Sequence, residues 1–287
     1  MGSGLLCRPQ AAKKPTPHGD EQAAADGKEV HSPQGGMNEP LQAVRRPEEL
    51  RLISNSIVES LKGYCPDMET IVVESQILAY TYEEVQRRFT GLDDPAHGWE
   101  HVNRVYKLAL HIAEREGADR FIVGMAALMH DLGRLEQSRN EEQHHVDVSI
   151  ALASELLNTY QLAPEIQQAI LHAIEAHSFS KGVQPQTREA QVLRDADRLD
   201  ALGAIGILRW AITGTIRRTP QTRTYHPDDP FAEKHIPDDH SYMLDHFYTK
   251  LLKLSDTMVT ETGRAMARRR TDFMRTYLAE LRNELEE

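Results

Sequence analysis

The sequence predicts an all-α fold, and three observations carry that prediction. From Pro47 onward apolar residues recur every three or four positions, the spacing of one helix face. No stretch alternates apolar and polar as a half-buried strand does, and no internal repeat interrupts the pattern. The chain closes on a long, charge-rich stretch, 256–285, that reads as one helix. With 287 residues and 40% hydrophobic content there is material for a buried core.

Residues 1–46 are rich in Gly, Pro, Gln, Ala and charge without apolar periodicity, so they read as a disordered tail. Residues 47–287 read as a single helical domain. Its first helix starts at Pro47-Glu48-Glu49 and carries Leu50, Ile53, Ile57 and Leu61; a second covers 68–89 and stops before Gly91. The third places Val102, Val105, Leu108 and Ile112 on one stripe and closes at Gly117, a residue suited to a helix C-terminus. A fourth runs from Ala118 and delivers His130-Asp131 at its end. Further helices are expected at 146–160, 164–177, 188–212, 241–254 and 256–285. Between them, 213–240 holds Pro220, Pro227, Pro230 and Pro237. A loop of that length predicts a partly ordered lid beside a site.

A formal net charge of −11 argues against a nucleic-acid duplex as partner, because gripping one requires a basic face. A small anionic substrate remains compatible, since a metal and a few arginines make one pocket locally positive. Cys7 and Cys65 are too few for a disulfide framework or a thiolate zinc site, which fits a reducing cytosol. No 18-residue apolar window and no signal-peptide core occur, so the expectation is a cytoplasmic protein with no membrane partner.

His130 and Asp131 follow the apolar run 125–129 and precede Leu132-Gly133-Arg134. Neighbours on a helix point about 100° apart, so both reach one ion only near a helix end. Gly133 supplies the freedom that such an end needs. An imidazole nitrogen and a carboxylate oxygen suit Mn, Fe, Zn, Co or Ni, with further ligands required from elsewhere. His101 and Asp197 are the candidates. In isolation a His-Asp pair is more often incidental, and the joint pattern overturns that reading. His97 reads as a pocket or capping residue, His172 as packing or support, and His111 as surface. Arg268-Arg269-Arg270 reads as a solvated face or an inter-subunit contact, while Tyr242, Phe247, Tyr248 and Leu251-Leu252 read as core.

The segments His101-Val102-Asn103-Arg104-Val105, His130-Asp131-Leu132-Gly133-Arg134 and Asp195-Ala196-Asp197-Arg198-Leu199-Asp200 together resemble the HD-domain phosphohydrolase superfamily. With the lead-in His97-Gly98-Trp99-Glu100, they resemble its small bacterial members, which include a nucleoside triphosphate pyrophosphohydrolase. The resemblance spans roughly Pro95 to Leu281. It implies a single HD-type helical bundle in which His101, His130, Asp131 and Asp197 bind a divalent ion. Manganese leads, with Fe, Co, Ni, Mg or Zn as alternatives. His145 and His177 fall where dinuclear members carry ligands to a second metal, so one ion or two stays open.

Phosphate-ester or phosphoanhydride cleavage by metal-activated water follows from the resemblance, with a nucleotide as the substrate. His130, Asp131, Arg134 and Arg198 are then the catalytic set. Arg134, Arg198 and Lys181 would meet phosphate, and Glu136 or Asp195 would be the general base. A di-iron oxygenase is the second reading, because some six-ligand members of the fold are oxygenases; a spent nucleotide sensor ranks last. The acidic surface and long C-terminal helix permit a homodimer.

Overall fold

The computed structural model describes residues 66–92, 94, 96–139, 144–178 and 181–287. The expected tail at 1–46 and the first expected helix at 47–61 lie outside the described residues. Helices follow in the order α1 (Pro66–Arg88), α2 (Trp99–Glu116), α3 (Arg120–Met129), α4 (Arg134–Arg139), α5 (His145–Tyr160), α6 (Pro164–His177), α7 (Arg188–Asp200), α8 (Gly203–Arg217), α9 (His246–Thr249) and α10 (Glu261–Glu286). Short 3-10 turns cover Met243–Asp245 and Leu251–Thr257. Among the described residues there is no strand, only an isolated bridge between Arg223 and Tyr242. The chain is all-α, as its periodicity predicts.

The core is built around α3, the most apolar helix. Every residue from Val123 to Met129 is buried, against α1, α2, α6 and α7. Each fully buried large side chain, such as Met125, Leu128 or Met129, contributes about 1.5–3 kcal/mol of transfer free energy. The ends of α3 are set locally. Asp119 caps it by accepting from the Phe121 and Ile122 amides at 2.8 and 3.0 Å. His130 is the C-cap, so the core helix ends where the His-Asp pair begins. Gly117 closes α2 in the left-handed conformation, as its position predicts.

The expected helix 188–212 is two helices bent by 66°. The amides of Ala201 and Leu202 turn back to the carbonyls of Arg198 and Leu199, and Gly203 takes a φ of +74° that a side chain would strain. Arg270 of α10 donates to the Leu199 carbonyl at 2.5 Å, covering the end of α7. Part of the basic run on α10 is therefore a helix cap rather than a solvated face.

The expected helix 241–254 is instead 3-10, α and 3-10 in sequence, broken at Lys250, whose backbone leaves the helical region. Phe247 and Leu251 are buried as expected. The four-proline segment starts later than expected, because α8 runs to Arg217. Its described residues are pinned rather than loose. The Asp229 carboxylate accepts from the amides of Glu233, Lys234 and His235 at 3.0, 2.8 and 2.9 Å. His235 bridges Asp229 and the fully buried Asp245 at 2.7 and 2.8 Å. No single helix among the described residues is long and apolar enough to cross a membrane.

Candidate metal centre and adjoining cavity

Four helices and the turn after α3 bring six side chains together. His101 comes from α2, His130 and Asp131 from the end of α3, His145 from the first turn of α5, His177 from the last turn of α6, and Asp197 from α7. His101 Nε2 lies 3.4 Å from His130 Nε2, 3.6 Å from Asp131 Oδ2 and 3.4 Å from Asp197 Oδ1. His130 Nε2 lies 3.6 Å from Asp131 Oδ2 and 4.0 Å from Asp197 Oδ1. Ligands held about 2.0–2.2 Å from one ion stand roughly 3.0–3.6 Å from one another, so His101, His130 and Asp131 are spaced as ligands of one ion, with Asp197 beside them. The structure therefore brings the four expected ligands together.

On the other side of Asp131, Oδ1 lies 3.6 Å from His145 Nε2, and His177 packs edge-on to His130 with ring centroids 5.0 Å apart. Asp131, His145 and His177 form a second group with metal-ligand spacing. One carboxylate thus serves two triads, Oδ2 facing one and Oδ1 the other. Asp131 Oδ1 is buried and has no hydrogen-bond partner, although the Arg134 guanidinium stands 3.0 Å away. An orphaned carboxylate oxygen among imidazole nitrogens fits a cation better than it fits a packed core.

The imidazoles are held for this task from behind. His101 Nδ1 faces Asp200 at 2.7 Å, His130 Nδ1 faces the Ala127 carbonyl at 2.8 Å, and His177 Nδ1 faces the Ile174 carbonyl at 2.5 Å. Each acceptor fixes the proton on Nδ1 and leaves the Nε2 lone pair inward. Burial pushes His130 down to about 4 and, with help from Arg134, His145 to about 3. Burial alone would raise Asp131, yet Arg134 and the surrounding histidines hold it well below the carboxylate range. Burial opposes ionisation of Asp197 too, and His101 outweighs it. Neutral imidazoles and ionised carboxylates are the ligand state. His101 differs, because hydrogen bonds to Asp197 and Asp200 overcome its burial and raise it.

Gly133 makes the arrangement possible. A Cβ there would collide with the His145 carbonyl and stand 2.7 Å from the Val148 Cβ, so only glycine lets α5 carry His145 up to Asp131. The Gly133 amide donates to Ser149 Oγ at 2.9 Å, tying the turn to α5.

A cavity of about 620 Å³ adjoins the cluster, lined on this side by His97, Arg134 and Arg209. Arg134 belongs to both places. His97 is not on α2 with His101 but in the turn before it, where Nδ1 faces Asp94 at 2.8 Å. It is a cavity residue, lowered chiefly by burial and so neutral, with Nε2 left over. Arg209 is anchored by the Ala96 carbonyl at 3.0 Å and Asp200 at 3.1 Å. Sequence reasoning missed Arg209 and Asp200; the available signal was a lone cation in the apolar run of α8.

Three expected site residues face elsewhere. Arg198 is buried and donates to the Thr257 carbonyl at 2.9 Å, so it braces α7 against the 3-10 turn instead of meeting phosphate. Asp195 accepts from the amides of Val259 and Thr260 and from Thr260 Oγ1, which makes it a brace for the start of α10 and not a base. Lys181 is ion-paired at 2.5 Å to Asp147, two residues past His145, and is not among the residues that line the cavity. Glu136, the other candidate base, sits on α4 with Oε2 buried and unpartnered. His172 accepts from the Gln186 amide, and His111 pairs with Arg115 on the surface.

Residues 98–202 match the HD domain family, and that span contains all six clustered residues. Bacillus subtilis YpgQ is 32% identical over 199 residues, covering 67% of this chain and 86% of the relative. The chain belongs to the HD-domain phosphohydrolase superfamily. Among solved structures, YpgQ in complex with ADP is similar with a TM-score of 0.57 over 74% of this chain and 96% of that one. An HD-superfamily hydrolase from Bacillus thuringiensis, 30% identical, gives a TM-score of 0.59 over 74% and 98%. A 119-residue stretch is also 32% identical to ribonuclease Y of Thermoanaerobacter pseudethanolicus, but it spans only 21% of that protein. The HD fold here is that of a metal-dependent hydrolase, and the His/Asp cluster has the residue types and spacing to hold a divalent ion.

Proposed function

We propose that this chain hydrolyses a nucleotide, and that its substrate is a nucleoside or deoxynucleoside triphosphate from which pyrophosphate leaves. The observation that carries the reading is continuity: Arg134 is ion-paired to Asp131 and also lines a cavity of about 620 Å³, large enough for a nucleotide. A divalent ion, manganese first, held by His101, His130, Asp131 and Asp197 would lower the pKa of bound water, to about 7 in zinc examples, and offset charge on the phosphate oxygens. Arg134 and Arg209 supply planar cations matched to phosphate oxygens, and their anchors hold them in place before substrate arrives. His97 Nε2 is an acceptor on the same wall. YpgQ has been solved in complex with ADP, which supports a nucleotide as the ligand here.

The shared Asp131 supports a second reading. Two donor triads on one carboxylate suit a di-iron oxygenase as well as a two-metal hydrolase. A metal-by-substrate screen with product analysis separates them. Pyrophosphate release from nucleoside triphosphates with manganese supports the first reading. Iron retained after anaerobic purification, oxygen consumption and no phosphate release would overturn it.

A further inference from the structure

We propose that Asp239 and His246 bind the nucleoside end of the substrate, accepting hydrogen bonds from its sugar hydroxyls. The inference rests on the nucleotide reading above. Both residues line the cavity that Arg134 and Arg209 enter, on a wall built by residues beyond the 98–202 span of the HD match. Asp239 Oδ2 takes two bonds, from His246 Nδ1 at 2.6 Å and from Thr249 Oγ1 at 2.8 Å. Oδ1 is the oxygen left for a ligand. His246, facing that carboxylate, carries its proton on Nδ1 and presents Nε2 as a second acceptor.

Two acceptors on one wall, held by their mutual hydrogen bond, favour a group with more than one donor. Ionised phosphate has none, while a sugar offers hydroxyls, and a carboxylate accepting from ribose hydroxyls is an established solution in dinucleotide sites. The wall also carries His240 and Lys250, so the charge of Asp239 is not a general barrier to an anionic molecule; the selection is for donors at this end. Apolar surface for a base lies on the same cavity, from Trp210, Met243 and Leu251. Trp210 satisfies its own N–H on the Met243 carbonyl at 2.8 Å and packs edge-on against Phe247, so its ring needs no polar partner from a ligand. Met243 lies over Gly214, where a Cβ would collide with its methyl group. The cavity lining therefore combines guanidinium groups, apolar surface and the Asp239–His246 pair, the three kinds of contact that a nucleotide uses.

The test is binding of ADP and of inorganic pyrophosphate to the full chain at saturating manganese, for the wild type, Asp239→Asn and His246→Gln. Both variants should lose on the order of 10-fold in ADP affinity, the cost of one hydrogen bond, with pyrophosphate binding unchanged. If Asp239→Asn does not fold, His246→Gln alone carries the comparison. Equal losses for both probes would assign this wall to phosphate and overturn the inference. Unchanged ADP affinity in both variants, beside a wild type that hydrolyses nucleotides, would overturn it while leaving the proposed function standing. A wild type that binds neither probe and hydrolyses no nucleotide overturns both.

Discussion

Asp200 is buried at the junction of the metal centre and the cavity, where it accepts from His101 Nδ1 and pairs with Arg104 and Arg209. Burial would raise it, but the bonds from His101 and Arg104 keep it ionised well below the usual range. Asp200→Asn keeps the shape, yet removes the charge that fixes the His101 tautomer. Manganese affinity should fall about 10–100-fold, the usual cost of losing such a supporting partner, and calorimetric titration reads it directly. An unchanged affinity would show that His101 orients itself. A second consequence concerns protons. Hydrogen bonds to Asp197 and Asp200 outweigh burial and favour the protonated form of His101, whereas burial favours the neutral form of His130 and His145. Proton release on manganese binding should therefore grow as the pH is lowered, measured by repeating the titration at several pH values in buffers of different ionisation enthalpy. The residues that cluster, His101, His130, Asp131, His145, His177 and Asp197, were legible in the sequence, because few residue types hold a metal and their order is constrained by the helices that carry them. Asp200 and Arg209 were not, since their roles come from partners far along the chain: Arg209 meets a carbonyl 113 residues away.

Helices were legible where an apolar face and a cap coincide, as in α2 and α3, and illegible where tertiary contacts end a run of good helix formers. Nothing local in Arg198-Leu199-Asp200-Ala201-Leu202 announces the bend after α7; Arg270, from the far end of the chain, takes the carbonyl that a continuing helix would use. Arg198 and Asp195 were misread for the same reason. Both lie on α7, but Arg198 faces the second 3-10 turn and Asp195 the start of α10, and periodicity cannot say which neighbour a buried charge meets. Asp195→Asn should destabilise the fold by about 1–3 kcal/mol in urea unfolding, since at least one of its amide partners is left unsatisfied. It should leave kcat unchanged at temperatures where the variant is folded. A large loss of kcat would restore Asp195 as a base. The proline-rich segment carries its own pH dependence. Hydrogen bonds to Asp245 and Asp229 raise His235, so its stabilising charge is fully present below about pH 6.5 and lost as pH climbs through the raised value. Amide exchange at Glu233, Lys234 and His235 should accelerate across that window beyond the intrinsic pH effect, and His235→Gln should remove the extra dependence.

At the scale of the molecule, the metal centre is a joint between elements. α2, α5, α6 and α7 and the turn after α3 each contribute to it, and without an ion two ionised carboxylates and several inward lone pairs face one another in a largely buried space. Asp197 is the only contributor with appreciable exposure, 28%, so there is little solvent to relieve that arrangement. An ion that binds the folded chain and not the unfolded one stabilises by mass action, about 2.7 kcal/mol at a hundredfold excess over Kd. For a domain of this size that corresponds to a rise in Tm of roughly 5–10 °C. Adding EDTA to manganese-loaded protein should lower Tm by that amount, and restoring manganese should recover it. His130→Ala should start from a lower Tm, bind manganese poorly and show a much smaller EDTA shift, with turnover reduced by at least about a hundredfold. His145→Ala distinguishes one ion from two: loss of half the bound manganese with part of the thermal shift retained means the second triad holds its own ion, whereas full occupancy means Asp131 Oδ1 serves Arg134 alone.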